Sequence, residues 1–477
     1  MYSRNFILFF SLLILLGTSC KSRDNSQSSS NKDKNGLVDE AWFLRKTNGE
    51  TEKFFPIGAW NIPGYVAEDA NSVDVYNKQS RNINISFHHI DQQRKDIIYM
   101  SIRPSLILMD FLSKKPAIKS KGIEKGYYES QYMKNIENDN ELVSKLNDEL
   151  SKHILQYENV ERAYLPIDEV SMGLAQNHWY TPPVVGNWIY NKLIELEKQK
   201  DPNSNPIIFA DLAGHGKGSA FFFEKRYLKD HSSMPETPPY EVTSESAQSY
   251  AKYALAKGEG YPLLAFNEGF NGVPAYEFKD NSYSYTSYTL EELKSYHYEN
   301  IKAYAEAYKG NGNAFGINAF RDFYANPVLA GLTVDAIRAG LGDPTIPIWL
   351  FFDGNGYAKP ASIAAEDYVN EVRCQMYTSI IHGATGIFFW NDRRKAPEVW
   401  DALQPTLEEM KSNLDIFKLK TLEKRDNGDM HLMIKQDEKG KKYIMASNTS
   451  KTNNVSLEVE NVEKDNLAPL EVYVSPI

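Results

Sequence analysis

The feature that most constrains this chain is a repeated one: an apolar run of strand length that ends in a carboxylate or an amide. The last of them reads Gly383-Ala384-Thr385-Gly386-Ile387-Phe388-Phe389-Trp390-Asn391-Asp392. Others occupy 55–60, 97–102, 161–169, 206–211, 261–268, 314–320 and 346–353. A parallel strand is covered on both faces, so it reads as continuous hydrophobics rather than as alternation. Helix-period patterns lie at 140–157, 184–200, 244–257, 290–308, 328–341 and 364–381. Strand–helix alternation on this spacing is the pattern of a parallel sheet. The expected fold is α/β, a (β/α)₈ barrel over 41–418, whose C-terminal mouth is where such barrels carry chemistry. The count is one too many. A weaker run at 84–90 makes nine candidates for eight places, so either 84–90 is a loop or one of 261–268 and 314–320 lies outside the ring.

Past Leu419 the period changes. Short runs at 430–434, 442–447, 455–459 and 470–474 are separated by polar turns such as Asp426-Asn427-Gly428. They predict a small antiparallel β-domain over 419–477, sandwich-like and docked on the barrel. The other end of the chain is a targeting pattern. Arg4, the apolar run Phe6–Leu16 and the small residues Gly17-Thr18-Ser19 before Cys20 have the layout of a signal peptide. The run is too short to span a membrane comfortably. Small residues directly before a cysteine resemble a bacterial lipobox, which implies lipidation of Cys20 and a place in the bacterial cell envelope, on either face of the outer membrane. Residues 21–40 then read as a polar tether.

The net charge of −10 without a basic stripe argues against nucleic acid as a partner. Only Cys374 follows Cys20, so the mature chain has no disulfide. Its place in a helical pattern suits a small buried hydrophobe. Neither HExxH nor CxxC occurs, and His88-His89 with Asp91 is the nearest thing to a ligand cluster. No metal and no cofactor is expected.

Acidic residues stand at the ends of the apolar runs: Asp168-Glu169, Asp211, Glu268, Asp353 and Asp392. A lone strand-end Asp is more often a cap or a loop acceptor. A set of them carries a repulsive cost that function would explain. Glycoside cleavage needs two carboxyl groups, one donating a proton and the other attacking the anomeric carbon or activating water. Trp60, Trp179 and Trp390 follow run ends and would serve as sugar platforms, whereas Trp349 lies mid-run and suits the core. Arg103, His215, Asn267, Asn318 and Arg321 are further polar candidates near the mouth, the last two weaker.

Phe55-Pro56-Ile57-Gly58, Tyr164-Leu165-Pro166-Ile167-Asp168-Glu169, Gly383-Ala384-Thr385-Gly386 and Phe389-Trp390 resemble bacterial TIM-barrel glycoside hydrolases over roughly 50–415. In the retaining clan the acid/base and nucleophile follow the fourth and seventh strands, which implies Glu169 and Asp353. The chain departs from that clan's Asn-Glu dipeptide at 168–169, whereas Asn267-Glu268 fits it. A weaker resemblance to endo-fucanases of marine bacteria implies Asp211 as nucleophile and Glu268 as acid/base. That pair is preferred for its Gly- and Asn-rich surroundings, with Glu169 and Asp353 the alternative.

The expected function is a lipid-anchored, monomeric glycoside hydrolase cutting a polysaccharide internally. The rivals are a non-catalytic glycan-binding lipoprotein and a polysaccharide lyase. A serine-hydrolase elbow of the GxSxG type is absent from the chain, which leaves a peptidase without support.

Overall fold

A computed structural model describes residues 40–47, 50–65, 72–87, 96–107, 138–157, 162–167, 183–213, 276–279, 282–285, 290–324, 326–356, 359–391 and 397–477. Two antiparallel strands, β1 (Phe43–Thr47) and β2 (Glu50–Phe54), lead in. The ring follows with β3 (Ile57–Ala59), β4 (Ile85–Ser86), β5 (Ile98–Ser101), β6 (Arg162–Ile167) and β7 (Ile207–Ala213). A short hairpin, β8 (Tyr276–Lys279) and β9 (Ser282–Tyr285), precedes β10 (Ala314–Asn318), β11 (Ile348–Asp353) and β12 (Gly386–Trp390). Eight of these, β3 to β7 and β10 to β12, pair in parallel as a closed barrel.

The ring resolves the surplus strand. β4 falls inside 84–90, and β7 pairs directly with β10 from Phe209↔Ala314 to Ala213↔Asn318. The barrel therefore closes without 261–268, which lies outside the described residues together with the helical pattern at 244–257. β6 is the fourth strand of the ring and β11 the seventh.

Helices α1 (Ser72–Gln79), α2 (Asn140–Gln156), α3 (Pro183–Lys200), α4 (Leu290–Ala307), α5 (Phe320–Phe323), α6 (Val328–Leu341), α7 (Ala365–His382) and α8 (Glu398–Ser412) alternate with the strands. The expected ends at 341 and 381 hold to within a residue because each is followed by a glycine in the left-handed region, Gly342 at φ 58° and Gly383 at φ 112°. That conformation ends a helix at little cost only for a residue without Cβ. No helix among the described residues is long and apolar enough to cross a membrane.

Parity along each strand sorts the two cores. In β11, Ile348, Leu350 and Phe352 face the helices, while Trp349 and Phe351 face the lumen with Phe209 and Phe388. The lumen is thus a block of rings: Phe209 stacks on Phe388 at 5.1 Å and meets Trp349 at 5.1 Å. Glycine opposite the rings makes room for them, since a Cβ on Gly58 would lie 2.4 Å from Phe388. Phe43 and Phe54, from the leading hairpin, join the same cluster and close the N-terminal floor. Trp349 is buried, as its mid-run place predicts, and so is Cys374, whose Sγ meets the Asn448 carbonyl at 3.3 Å. Burial pushes that thiol up to about 12, which suits packing rather than nucleophilic work.

The C-terminal unit is a four-stranded antiparallel sheet of β13 (Lys420–Asn427), β14 (Met430–Gln436), β15 (Lys442–Asn448) and β18 (Val472–Pro476). A two-stranded piece, β16 (Val455–Ser456) and β17 (Asn466–Leu467), lies beside it. One face sends Met433, Met445 and Val472 into the core around the barrel helices, and the other buries Leu432, Ile434 and Ile444 with Leu457 and Leu467. A sheet apolar on both faces needs two covers, and it has them. β13 carries no apolar run in the sequence because its exposed residues are charged.

Glu40 pins the start of the described chain to this sheet. Its carboxylate meets Lys435 Nζ at 2.8 Å and Lys424 Nζ at 3.4 Å, and accepts from the Thr421 hydroxyl. Burial alone would raise that carboxyl, but the two ammonium groups and the hydrogen bonds hold it down to about 2.

Candidate active site

Strand parity decides which side chains reach the mouth. Ile207 and Phe209 face the lumen, so Asp211, two residues on, shares their face. The same step takes Ala314 to Asn318, and Trp349 and Phe351 to Asp353. Asp211, Asn318 and Asp353 are all buried. Two of the four carboxylates singled out as catalytic candidates are therefore lumen-facing at the C-terminal ends of their strands.

They stand at different registers of the sheet. Asp211 is level with Gly316, and Gly316 with Trp349. Asp353 lies four residues beyond Trp349 on β11, a distance of about 13 Å along a strand. Asp211 is followed by Leu212 and Ala213 within β7, whereas Asp353 is the last residue of β11.

The rim around Asp353 is aromatic. Asp353 pairs in register with Trp390 on β12. Phe389 pairs with Ala59, and the Trp60 amide donates to the Phe389 carbonyl at 2.8 Å, which continues the same rung. Carboxylate, indole and indole therefore follow one another on three adjacent strands. Trp390 stacks on Phe320 of α5 at 5.8 Å with 21° between planes, and Trp60 packs on Phe87 at 4.6 Å. Both indoles remain part-exposed. The backbone behind them is clasped by two amides: Asn61 Nδ2 donates to the Asn391 carbonyl at 2.6 Å, and Asn391 Nδ2 to the Asn61 carbonyl at 2.9 Å. Gly354 is needed there, because a Cβ would lie 2.1 Å from Asn391 Oδ1.

Asp353 is held from behind. Its Oδ2 accepts from Tyr368 Oη at 2.7 Å, and its Oδ1 from the Asn355 amide at 3.1 Å. Tyr368 sits in the first turn of α7, the next helix after β11 in the chain. Burial, then the charge of Asp353, raises its phenol well above the ordinary value, so it remains a donor. A carboxylate given two donors is fixed in direction.

Other candidates fare differently. Arg103 lies on the outer wall, exposed, with its guanidinium on Glu149 of α2 at 2.9 Å, away from the rim. Arg321 is the second residue of α5, just past β10. Glu268, Glu169, Asp168, Trp179, His215, Asn267 and Asp392 lie outside the described residues, as does Cys20. Glu268 loses the strand-end placement that suggested it, because the ring closes without 261–268. Glu169 follows Ile167, the last residue of the fourth strand, by two positions in the sequence.

The sequence reading missed Tyr368, Asn355, Asn61 and Asn391. A signal for the last two was present: the dipeptide Trp-Asn recurs at 60–61 and 390–391, the ends of the first and last strands of the ring.

No family model matches the chain, and no curated protein matches it. Solved structures similar to it include a glucosidase from Croceicoccus marinus, at 9% identity over 88% of this chain and 81% of that one, TM-score 0.32. A family 39 glycoside hydrolase from Bacteroides cellulosilyticus WH2 is 8% identical over 90% and 82%, TM-score 0.36. An α-amylase from Geobacillus thermoleovorans is 10% identical over 88% and 98%, TM-score 0.24. With each TM-score below 0.5, the barrel assignment rests on the strand order of this chain itself.

Proposed function

We propose that the protein hydrolyses glycosidic bonds within a polysaccharide, from a bacterial cell envelope to which Cys20 anchors it. The observation that carries this reading is the rung Asp353–Trp390–Trp60: an oriented carboxylate level with two part-exposed indoles on one rim. Indole faces suit the apolar C–H faces of a sugar ring, and a fixed carboxylate suits the anomeric carbon beside them.

In this reading Asp353 acts as nucleophile, or as the base that activates water. Tyr368 and Asn355 aim it. Glu169, just past the fourth strand, is the proton donor to the leaving oxygen. This takes the alternative pair over Asp211 with Glu268, because Asp353 shares its rung with the two indoles. Separation of the two carboxyls by about 5–5.5 Å would give retention, and about 6.5–9.5 Å inversion. The substrate is a plant or marine algal glycan, with fucans among the candidates.

The test is product analysis across a panel of algal and plant polysaccharides. The wild-type chain should release new reducing ends, and Asp353→Asn should lower the rate by about 10²–10⁴-fold with the fold intact. Full activity in Asp353→Asn, with loss in Glu268→Gln, would restore the other pair. Unsaturated products in place of plain reducing ends would make the protein a lyase. Binding without any cleavage would make it a glycan-binding protein.

A further inference from the structure

The second cluster of chemistry lies away from the mouth, where the helical shell meets the C-terminal sheet. His382 is the last residue of α7, and His431 lies on β14 opposite Asp426 of β13. His382 Nε2 and His431 Nδ1 are 2.9 Å apart, and His431 Nδ1 is 3.4 Å from Asp426 Oδ1. The three inner atoms all lie within 4.8 Å of one another.

The outer partners dictate what these atoms present. His382 Nδ1 meets Asp335 Oδ2 at 2.7 Å, so Nδ1 carries the proton and Nε2 offers a lone pair. His431 Nε2 meets Thr449 Oγ1 at 3.3 Å, while that hydroxyl donates to the Asp429 carbonyl at 3.2 Å. The role left to Nε2 is donor, which makes Nδ1 a lone pair as well. With both imidazoles neutral in these tautomers, two lone pairs and a carboxylate oxygen converge. Such a set repels itself unless a cation sits inside it.

We propose that His382 Nε2, His431 Nδ1 and Asp426 bind a divalent transition-metal ion of the zinc class, with water completing the sphere, and that the ion ties α7 to the β13–β14 hairpin. Imidazole and carboxylate are the ligand types such ions take. Zinc–nitrogen bonds of 2.0–2.1 Å in tetrahedral array set the nitrogens about 3.3 Å apart, so the rings need part by only a few tenths of an ångström. Asp335 and Thr449 hold the non-ligating nitrogens, the arrangement that orients metal-bound histidines. The C-terminal end of α7 adds partial negative charge. Lys294 of α4 is the opposing cation, and Glu291 lies 3.1 Å from its ammonium. Asp426 is more than half exposed, which leaves a route from solvent. Motif spacing cannot reveal this set, because His382 belongs to the barrel and the other two to the sheet.

The experiment uses the untagged full chain, stripped with EDTA and desalted, then titrated with Co²⁺ and, in competition, with Zn²⁺. The wild-type chain should take up one equivalent of Co²⁺ with the strong visible bands of a low-coordinate site. Zn²⁺ should displace it and raise the thermal midpoint. His382→Ala and His431→Ala should abolish uptake, and Asp335→Asn should weaken it by about 10–100-fold. Absence of saturable uptake by the wild-type chain would overturn the proposal and leave a proton shared between the rings. Unchanged stoichiometry and affinity in both histidine variants would overturn it equally. The wild-type titration decides the matter even where a variant fails to fold, which circular dichroism reports.

Discussion

Replacing Glu40 by Gln tests how the segment leading into the barrel is held to the C-terminal sheet. The carboxyl lies near 2 rather than at its ordinary 4.5, and at about 1.4 kcal/mol per tenfold that is a preference of about 3 kcal/mol for the charged form in the native state. Lys435 pulls the other way: burial lowers its ammonium in spite of Glu40. About 3 kcal/mol is therefore a ceiling on the net worth of the pair at neutral pH. Breaking it from one side is worse than losing it, because the Lys435 side chain is only 2% exposed. An uncompensated buried charge costs about 3–5 kcal/mol.

The pH dependence has a definite sign. A carboxyl lowered on folding stabilises above the unfolded value of 4.5, and that contribution is lost as pH falls through about 2. Urea denaturation of the wild-type chain at stepped pH should show stability declining across that window. Glu40→Gln should lack this component and lose about 3 kcal/mol or more at pH 7. The double variant with Lys435→Met should recover much of the loss. A Glu40→Gln loss under about 1 kcal/mol, or an acid profile superimposable on the wild type, would refute the argument.

Two other perturbations address the barrel. Tyr368→Phe removes the 2.7 Å hydrogen bond to Asp353 and should lower kcat/KM by about 10–100-fold, the worth of a hydrogen bond to a charged group; unchanged steady-state kinetics would show that the phenol does not orient the carboxylate. Gly58→Ala places a methyl 2.4 Å from Phe388 and 2.6 Å from Ile85 Cγ2. Overpacking there should cost about 1–3 kcal/mol in urea denaturation, and a wild-type midpoint would mean that the lumen yields.

What the sequence by itself determined is the repeat. Runs such as 348–353 and 386–390 are legible without any knowledge of their neighbours, because a strand covered on both faces must be apolar at every position. The two-residue step then carries Trp349 and Phe351 to Asp353, so the rim carboxylate was readable too. The turn at Asp426-Asn427-Gly428 marks an end by local backbone need and fell where expected, as did the helix ends that Gly342 and Gly383 follow.

The tertiary structure decided everything that depends on closure. Whether 84–90 or 261–268 joins the ring is settled by β7 pairing with β10, a fact of register that no single run contains. The phenol behind Asp353, the Glu40–Lys435 pair and the His382–His431 contact join residues 15, 395 and 49 positions apart. Hydrophobic periodicity fixes which way a side chain faces along its own element. Which partner it meets follows from how the elements close on one another, and that information is spread over the whole chain.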